Sequence, residues 1–333
     1  MRVGLAYDLK DSVTPEAAGP EDACEEYDSE ATVSLIGRAL ESGGHAVTRL
    51  GGGREFLTSI LASRPDIVFN IAEGRGTYRS REAQVPSVLE MLDIPYSGSD
   101  PQCLAITLDK PLTKQLAFAA RVPTPAWRVI SHPEETVSWE GFAFPAILKP
   151  AYEGSSKGIR LTSLAVTPAE AAAMAARLIA TYGQPVMVEE FIRGEEVTVG
   201  IIGNAPPKIV GIMRVIPRKK EDIFIYSLEV KRDWQQLVDY ECPACFGDEV
   251  TDRIAEASLR AFTILGCRDF ARLDFRVTAS GIPYFIEINP LPGLGTHSDL
   301  IIMALKLGWR HEAVINAVLD AAIGRYPKRL PAC

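Results

Sequence analysis

Arg272-Leu-Asp274-Phe, followed thirteen residues after Asp274 by Glu287-Ile-Asn289-Pro-Leu-Pro-Gly293, is the stretch on which the reading of this chain turns. Phe270 to Val277 alternates, with Arg272, Asp274 and Arg276 on one face and Ala271, Leu273, Phe275 and Val277 on the other. Thr278 to Gly281 has turn composition. Tyr284 to Asn289 alternates again, with Glu287 and Asn289 on a shared face. If Thr278 and Pro283 close the turn, Asp274 lies opposite Glu287 and Arg272 opposite Asn289. Like charges directly opposite each other repel, and a bound divalent cation removes that objection. Hard oxygen ligands from Asp, Glu and Asn suit Mg²⁺, which also takes waters and phosphates. The alternative is the solvated face of an edge hairpin, for which a run into Pro-Leu-Pro-Gly is an unusual turn.

Around this hairpin the bulk properties are those of a globular protein. The chain has 333 residues, too many for one ordinary core, so two or three domains are expected. It is 47% hydrophobic and 23% charged, with a net charge of −8 and no Lys/Arg block. That balance argues against a nucleic-acid partner but not against nucleotides. The apolar N-terminal run is too short for a signal peptide, and no uninterrupted apolar stretch reaches the ~18 residues of a membrane span. A cytoplasmic location and no membrane partner are the default expectation. The six scattered cysteines read as free thiols, and the lone Cys242-Pro-Ala-Cys245 pair lacks the partners of a zinc site.

Strand and helix alternate through the first ~100 residues, as a parallel sheet requires. Strands are expected at Val3–Tyr7, Ala46–Leu50 and Asp66–Asn70, and helices at Ser29–Leu40 (capped by Asp28), Phe56–Ala62 and Val85–Leu92. Asp109–Ala120 reads as a helix with Pro111 in its first turn. Strands follow at Ala126–Ile130, Pro145–Pro150, Ile159–Leu161 and Val186–Glu190, with a helix at Pro168–Ala180. The last third has a polar stretch from Arg218 to Asp233, a helix from Val250 to Ile264, the hairpin and two final helices.

A second constellation points to a nucleotide. Lys149 ends a strand, and Glu153-Gly-Ser-Ser-Lys-Gly158 follows as a small-residue loop. Its N–H groups can approach phosphate oxygens, with Lys149 as a point charge. The loop lies between two expected strands and lacks Gly-Lys-Ser/Thr, so it is not a P-loop. Val188-Glu-Glu190-Phe-Ile192, then Gly194-Glu-Glu196, is an apolar strand ending in acids. Solvated acids at a strand end are the plain alternative; read with the rest, Glu189 can meet an adenine edge and Glu196 ribose hydroxyls.

These motifs, in the order Asp109-Lys110, Leu-Lys149-Pro, Glu153 to Gly158, Val-Glu-Glu190-Phe-Ile, Gly-Glu-Glu196, Arg272-Leu-Asp274-Phe and Glu287 to Ser298, resemble the ATP-grasp superfamily, and within it the D-alanine–D-alanine ligases. The resemblance implies an α/β fold, α+β in parts, of three domains. Residues 1–108 would be an N-terminal substrate domain, and 109–194 and 195–333 the two β-rich subdomains that clamp ATP, the last carrying the metal site and a lid loop. It implies that Lys110, Lys149 and the Glu153, Gly154, Ser155, Ser156 loop contact ATP phosphates. Glu189, Glu190, Phe191 and Ile192 would border adenine, Glu196 would hold ribose, and Lys231 on the lid would reach the γ-phosphate. Asp274, Glu287 and Asn289 would bind two Mg²⁺, with Mn²⁺ as a substitute. Arg272 and the Gly293 N–H would stabilise an oxyanion, Ser298 would hold the carboxylate of the amine-bearing substrate, and Glu30 with Ser155 would engage the first substrate's amino group. The implied partners are small amino acids, the assembly a homodimer, and the product a cell-wall precursor.

The chain also departs from that family. Where relatives carry His-Gly-x-x-Gly-Glu-Asp-Gly, this one reads Asn70 to Gln84 with Arg75, Arg79 and Arg81 and without the histidine and the Glu-Asp pair. The arginines either meet an extra acid on a different substrate or are surface cations. Arg232 replaces a tyrosine that follows the lid lysine, so a bridge of Glu30, Ser155 and Arg232 is one outcome and its loss the other. For Glu30, an acid favoured in a helix's first turn is an equal alternative. Three functions stay open: joining two D-alanines, the same chemistry on another acid, and ATP binding without turnover.

Overall fold

The computed structural model describes residues 1–13, 19–219, 222–327 and 329–330. Cys333 and two positions in the polar stretch lie outside them.

The first unit is β1 (Arg2–Ala6), α1 (Glu30–Ser42), β2 (Ala46–Gly51), α2 (Gly53–Ser63), β3 (Ile67–Asn70) and α3 (Gln84–Met91). Its strands pair in parallel in the order β2-β1-β3. The four residues of β3 are all buried, as expected of a strand covered on both faces. Two helices then lead out of this unit, α4 (Pro101–Leu108) and α5 (Lys110–Ala119).

The second unit is β4 (Trp127–Ile130), β5 (Ala146–Pro150), β6 (Leu164–Ala165), α6 (Pro168–Tyr182) and β7 (Val186–Glu190), an antiparallel sheet ordered β4-β7-β5-β6 with α6 packed on it. The third has β8 (Glu195–Ile202), β9 (Lys208–Pro217), α7 (Leu228–Arg232), α8 (Trp234–Leu237), β10 (Val238–Glu241), α9 (Asp248–Ile264), β11 (Phe270–Val277), β12 (Pro283–Asn289), α10 (Asp299–Lys306) and α11 (His311–Gly324). Its sheet is antiparallel, ordered β10-β9-β8-β11-β12. Helix α10 packs on that sheet, its Ile302 and Met303 against Met213 and Val215, whereas α11 reaches back to the first unit. Val314, Ile315, Val318 and Leu319 of α11 share one core with Val3, Leu5, Ile36 and Leu40 of the first unit.

Three local expectations are corrected. Ser29, not Asp28, caps α1, its hydroxyl accepting from the Thr32 N–H at 3.2 Å; Asp28 is held instead in a bridge to Leu9. Ile159–Leu161 forms no strand, running as irregular chain into a turn at Leu161, and the strand forms later, at β6. Helix α4 was not anticipated, although Asp100-Pro101 is a start signal and the Asp100 carboxylate accepts from the Cys103 N–H at 2.9 Å. Cys24, Cys103, Cys242, Cys245 and Cys267 are free thiols. No helix among the described residues is long and apolar enough to cross a membrane.

Candidate active site

The hairpin of β11 and β12 pairs Arg272 with Asn289 and Asp274 with Glu287. The route differs from the sequence expectation. The last ladder pair before the turn is Val277 with Pro283, one residue wider than expected, and a bulge after Asp274 restores the register. Without that bulge Ile286 would stand opposite Asp274 and the site would lose an acid. The Arg272 guanidinium donates to Asp274 Oδ2 at 2.9 Å and stands 3.6 Å from Glu287 Oε1 and 3.5 Å from Asp299 Oδ2. The Thr198 hydroxyl donates to Asp274 Oδ1 at 3.0 Å, and Asn289 Oδ1 accepts from the Leu291 N–H at 2.8 Å. Burial pushes the Asp274 carboxyl up to about 6 against the pull of Arg272, with the Glu287 charge adding to the rise. Glu287 is held down to about 2 despite burial, by Lys110, Lys231 and Lys149.

Two acids and an amide are an incomplete shell for a metal. No group of three or more His, Cys, Asp or Glu completes it among the described residues. An all-oxygen, partial set fits Mg²⁺, which takes its remaining ligands from phosphates and water.

Across the cleft, Lys149 donates to Glu189 Oε2 at 2.8 Å, and Lys114 pairs with Glu189 Oε1. All three side chains are buried. Glu189 therefore bridges two lysines rather than presenting a free edge. Sequence reading passed over Lys114, yet it follows Lys110 by four residues and so shares its helix face, the one signal available. Lys110 donates to the Glu153 carbonyl. The Glu153 carboxylate is bound by Arg81, Lys157 and Gln184, so it braces the loop. Ser155 and Ser156 both have positive φ, 49° and 58°. Two successive non-glycine residues in the left-handed region mark a strained loop of the kind found at ligand clamps.

A cleft of about 620 Å³ runs between the two antiparallel sheets, lined by Lys149, Ser156, Glu189, Glu190, Phe191, Ile192, Glu196, Lys231, Asp274 and Glu287. Arg276, also on this wall, lies 4.5 Å over the Phe191 ring and 2.9 Å from Glu196 Oε2. Burial raises the Glu196 carboxyl, and Arg276 opposes it. Glu190 accepts from the Ala143 N–H at 2.6 Å. Lys231, on α7, sits 5.2 Å over the Tyr226 ring and lines this cleft and the next.

That next hollow brings together Ser155, Lys231, Arg232, Arg272, Asn289, Gly293 and Ser298. A Cβ at Gly293 would lie 2.9 Å from the Ser298 hydroxyl, so a side chain there would push that hydroxyl aside. A third hollow joins Lys110, Gly154, Ser155, Arg272, Glu287 and Asn289.

Glu30 is the one expected residue left outside. Its exposed carboxylate accepts from Arg49 at 2.6 Å and from the Ser34 hydroxyl at 2.9 Å, and it lines none of these hollows. Arg232 pairs instead with Glu25, at 2.6 Å. Of the loop arginines, Arg81 is buried on Glu26 at 2.7 Å, Arg75 stands 2.8 Å from Asp8, and only Arg79 is a surface cation. Sequence reading also missed acids that line these hollows, Glu73 and Glu82 of the Asn70 to Gln84 loop and Asp28 beside α1. For the first two the departure of that loop was the signal available.

Comparison with known proteins agrees with this geometry. A family model described as "D-ala D-ala ligase C-terminus" matches residues 119–320. The D-alanine–D-alanine ligase of Aquifex aeolicus is 32% identical over 298 residues, covering 86% of this chain and 93% of its own. An uncharacterised protein of Sinorhizobium fredii, y4sG, is also 32% identical, over 297 residues and 86% of each chain. Among solved structures, D-alanine–D-alanine ligase from Bacillus anthracis complexed with ATP superposes with a TM-score of 0.75 at 22% identity, covering 98% of both chains. VanG D-Ala:D-Ser ligase from Enterococcus faecalis gives 0.69 at 19% identity, covering 96% of this chain and 99% of its own. The last two likenesses establish the fold.

Proposed function

Because this chain belongs to the D-alanine–D-alanine ligase family of ATP-grasp enzymes, we propose that it joins two D-alanines in an ATP-dependent reaction. The carboxylate of the first attacks the γ-phosphate, ADP leaves, and the amine of the second displaces phosphate from the acyl carbon. The observation that carries this reading is the convergence of Asp274, Glu287 and Asn289 with Lys110, Lys149, Lys231 and Arg272 around connected hollows.

Lys149, Lys110 and Lys231 spread positive charge along the phosphates. Asp274, Glu287 and Asn289 would hold Mg²⁺ ions, which when bound offset the charge on the transferring phosphoryl group. The Arg272 guanidinium and the Gly293 N–H face the place where an oxyanion develops. Ser298 takes the carboxylate of the second amino acid. Phe191, Ile192 and the Glu190 backbone form the base-binding wall, with Glu196 toward the ribose. Tyr226 and α7 form the lid that excludes water from the acyl phosphate. The enzyme works in the cytoplasm as a homodimer and supplies a cell-wall precursor.

The altered loop from Asn70 to Gln84 supports a second reading, the same chemistry on a different first amino acid, since it brings Glu73 into the substrate hollow. ADP release in the presence of ATP, Mg²⁺ and D-alanine tests both. Turnover with D-alanine is expected. ADP only with another amino acid selects the second reading, and no ADP with any, despite ATP binding, overturns the ligase.

A further inference from the structure

Asp22 belongs to the first unit by its place in the chain and to the second by its contacts. It lies in residues 20–28, a strap that runs between β1 and α1. The strap is tied back to the first unit where the Asp28 N–H donates to the Asp8 carbonyl at 3.0 Å. The Asp22 side chain is 0% exposed, and a carboxylate is seldom buried so completely unless its oxygens are hydrogen-bonded. Among the described residues, every partner of that carboxylate comes from the second unit. Its Oδ2 accepts from the Gly158 N–H at 2.9 Å and from the Arg160 guanidinium at 3.2 Å. The Tyr182 hydroxyl, at the end of α6, donates to it from 2.9 Å of each oxygen.

Gly158 closes the small-residue loop that begins at Glu153. The near end of that loop is braced within the second unit: Gln184 Oε1 accepts from the Tyr152 N–H at 2.7 Å, and Gln184 Nε2 donates to Glu153 Oε1 at 2.7 Å. The far end is braced by Asp22. Between the two anchors stand Ser155 and Ser156, with φ of 49° and 58°. Such a conformation persists only where the surroundings enforce it, so losing an anchor lets the loop relax. Asp22 lines none of the three hollows of the cleft, so any effect it has on a ligand passes through the loop.

We propose that Asp22 is a positioning residue. Reaching across from the first unit, it fixes the far end of the phosphate loop and makes ATP affinity depend on a residue outside the two grasping subdomains. This rests on the reading that the loop from Glu153 to Gly158 holds the phosphates, and deepens it.

Calorimetric titration of the full-length protein with ATP and Mg²⁺ reads the effect directly, and KM values place it. Asp22→Ala is expected to weaken ATP binding by about tenfold or more, the scale of losing hydrogen bonds to a charged group, and to leave KM for D-alanine unchanged. Asp22→Asn keeps an oxygen for Gly158 and Arg160 and turns an amide donor toward the Tyr182 oxygen, so it should stay within about threefold of the parent. Tyr182→Phe removes one donor and leaves the strap in place; it serves should Asp22→Ala fail to fold, and a loss of about threefold in ATP affinity is expected. A lower thermal midpoint with ATP affinity unchanged in every variant that folds would make Asp22 a structural staple and overturn the proposal. It is overturned equally if Asp22→Asn is as weak as Asp22→Ala, or if ATP and D-alanine lose affinity together. The titration needs no turnover. ATP binding without ADP from any amino acid would overturn the ligase reading and leave Asp22 to be judged on affinity alone; a parent protein that binds no ATP overturns both.

Discussion

On the sheet side of the cleft, Asp274 has Arg272 against it, Glu189 has Lys114 and Lys149, and Glu196 has Arg276. On the loop side, Glu73, Glu82 and Asp28 form no such ion pair among the described residues, and Arg81 acts on the two glutamates through its charge alone. The sheet side is a finished electrostatic surface, preorganised by strand register and ready for phosphates. The loop side gathers its cations on Glu26 and Glu153 and leaves its other acids without direct partners.

The contrast can be broken first on the sheet side. Lys231→Ala should lower kcat for ADP formation by roughly 10³-fold, the scale of removing a cation from a transferring phosphoryl group, with the thermal midpoint nearly unchanged. Arg272→Lys keeps the charge but loses the fork that spans Asp274 and Asp299; a fall of about 10²-fold in kcat is expected. A normal rate in either variant would mean that the charged wall does not face the chemistry.

On the loop side the first effect is on stability. Arg81→Met leaves Lys157 as the single cation between the buried Glu26 and Glu153 carboxylates, and urea denaturation should show a loss of about 3 kcal/mol. The smallest and most discriminating test is pH. Burial pushes the Glu82 carboxyl up to about 7, against the pull of Arg81, with Glu26 adding to the rise and Lys110 and Lys157 opposing it. A carboxyl raised in the folded state contributes stability that is complete below its unfolded value near 4.5 and is lost as pH rises through about 7. Glu82→Gln should therefore be more stable than the parent above pH 7, and the gap should close as pH falls toward 4.5. A gap that is constant with pH would show that Glu82 keeps its ordinary ionisation.

How much of this was legible in the sequence follows the same division. The hairpin announced itself because strand alternation forces Asp274, Glu287 and Asn289 onto one face, and its cross-strand pairs hold despite a shifted turn and a compensating bulge. Lys149 and Val186–Glu190 were readable for the same reason, being fixed by strand geometry. Glu30 was misplaced in space although its motif is intact, because a helix's first turn fixes the residue but not what its side chain meets, and Arg49 on β2 is 19 residues away. Arg81 looked like a loop cation, and only the folded chain brings Glu26 and Glu153 around it. Long-range neutralisation of this kind has no local pattern to read.

The packing of α11 against β1 and α1 bears on how the molecule is made. Residues at both extremes of the chain share one core, so the N-terminal sheet cannot complete its apolar face while the ribosome is still translating the grasping subdomains. It must wait, partly open, until the final helix emerges, and any nonsense codon ahead of residue 311 would leave Ile36 and Leu40 uncovered and hand the truncated product to proteolysis.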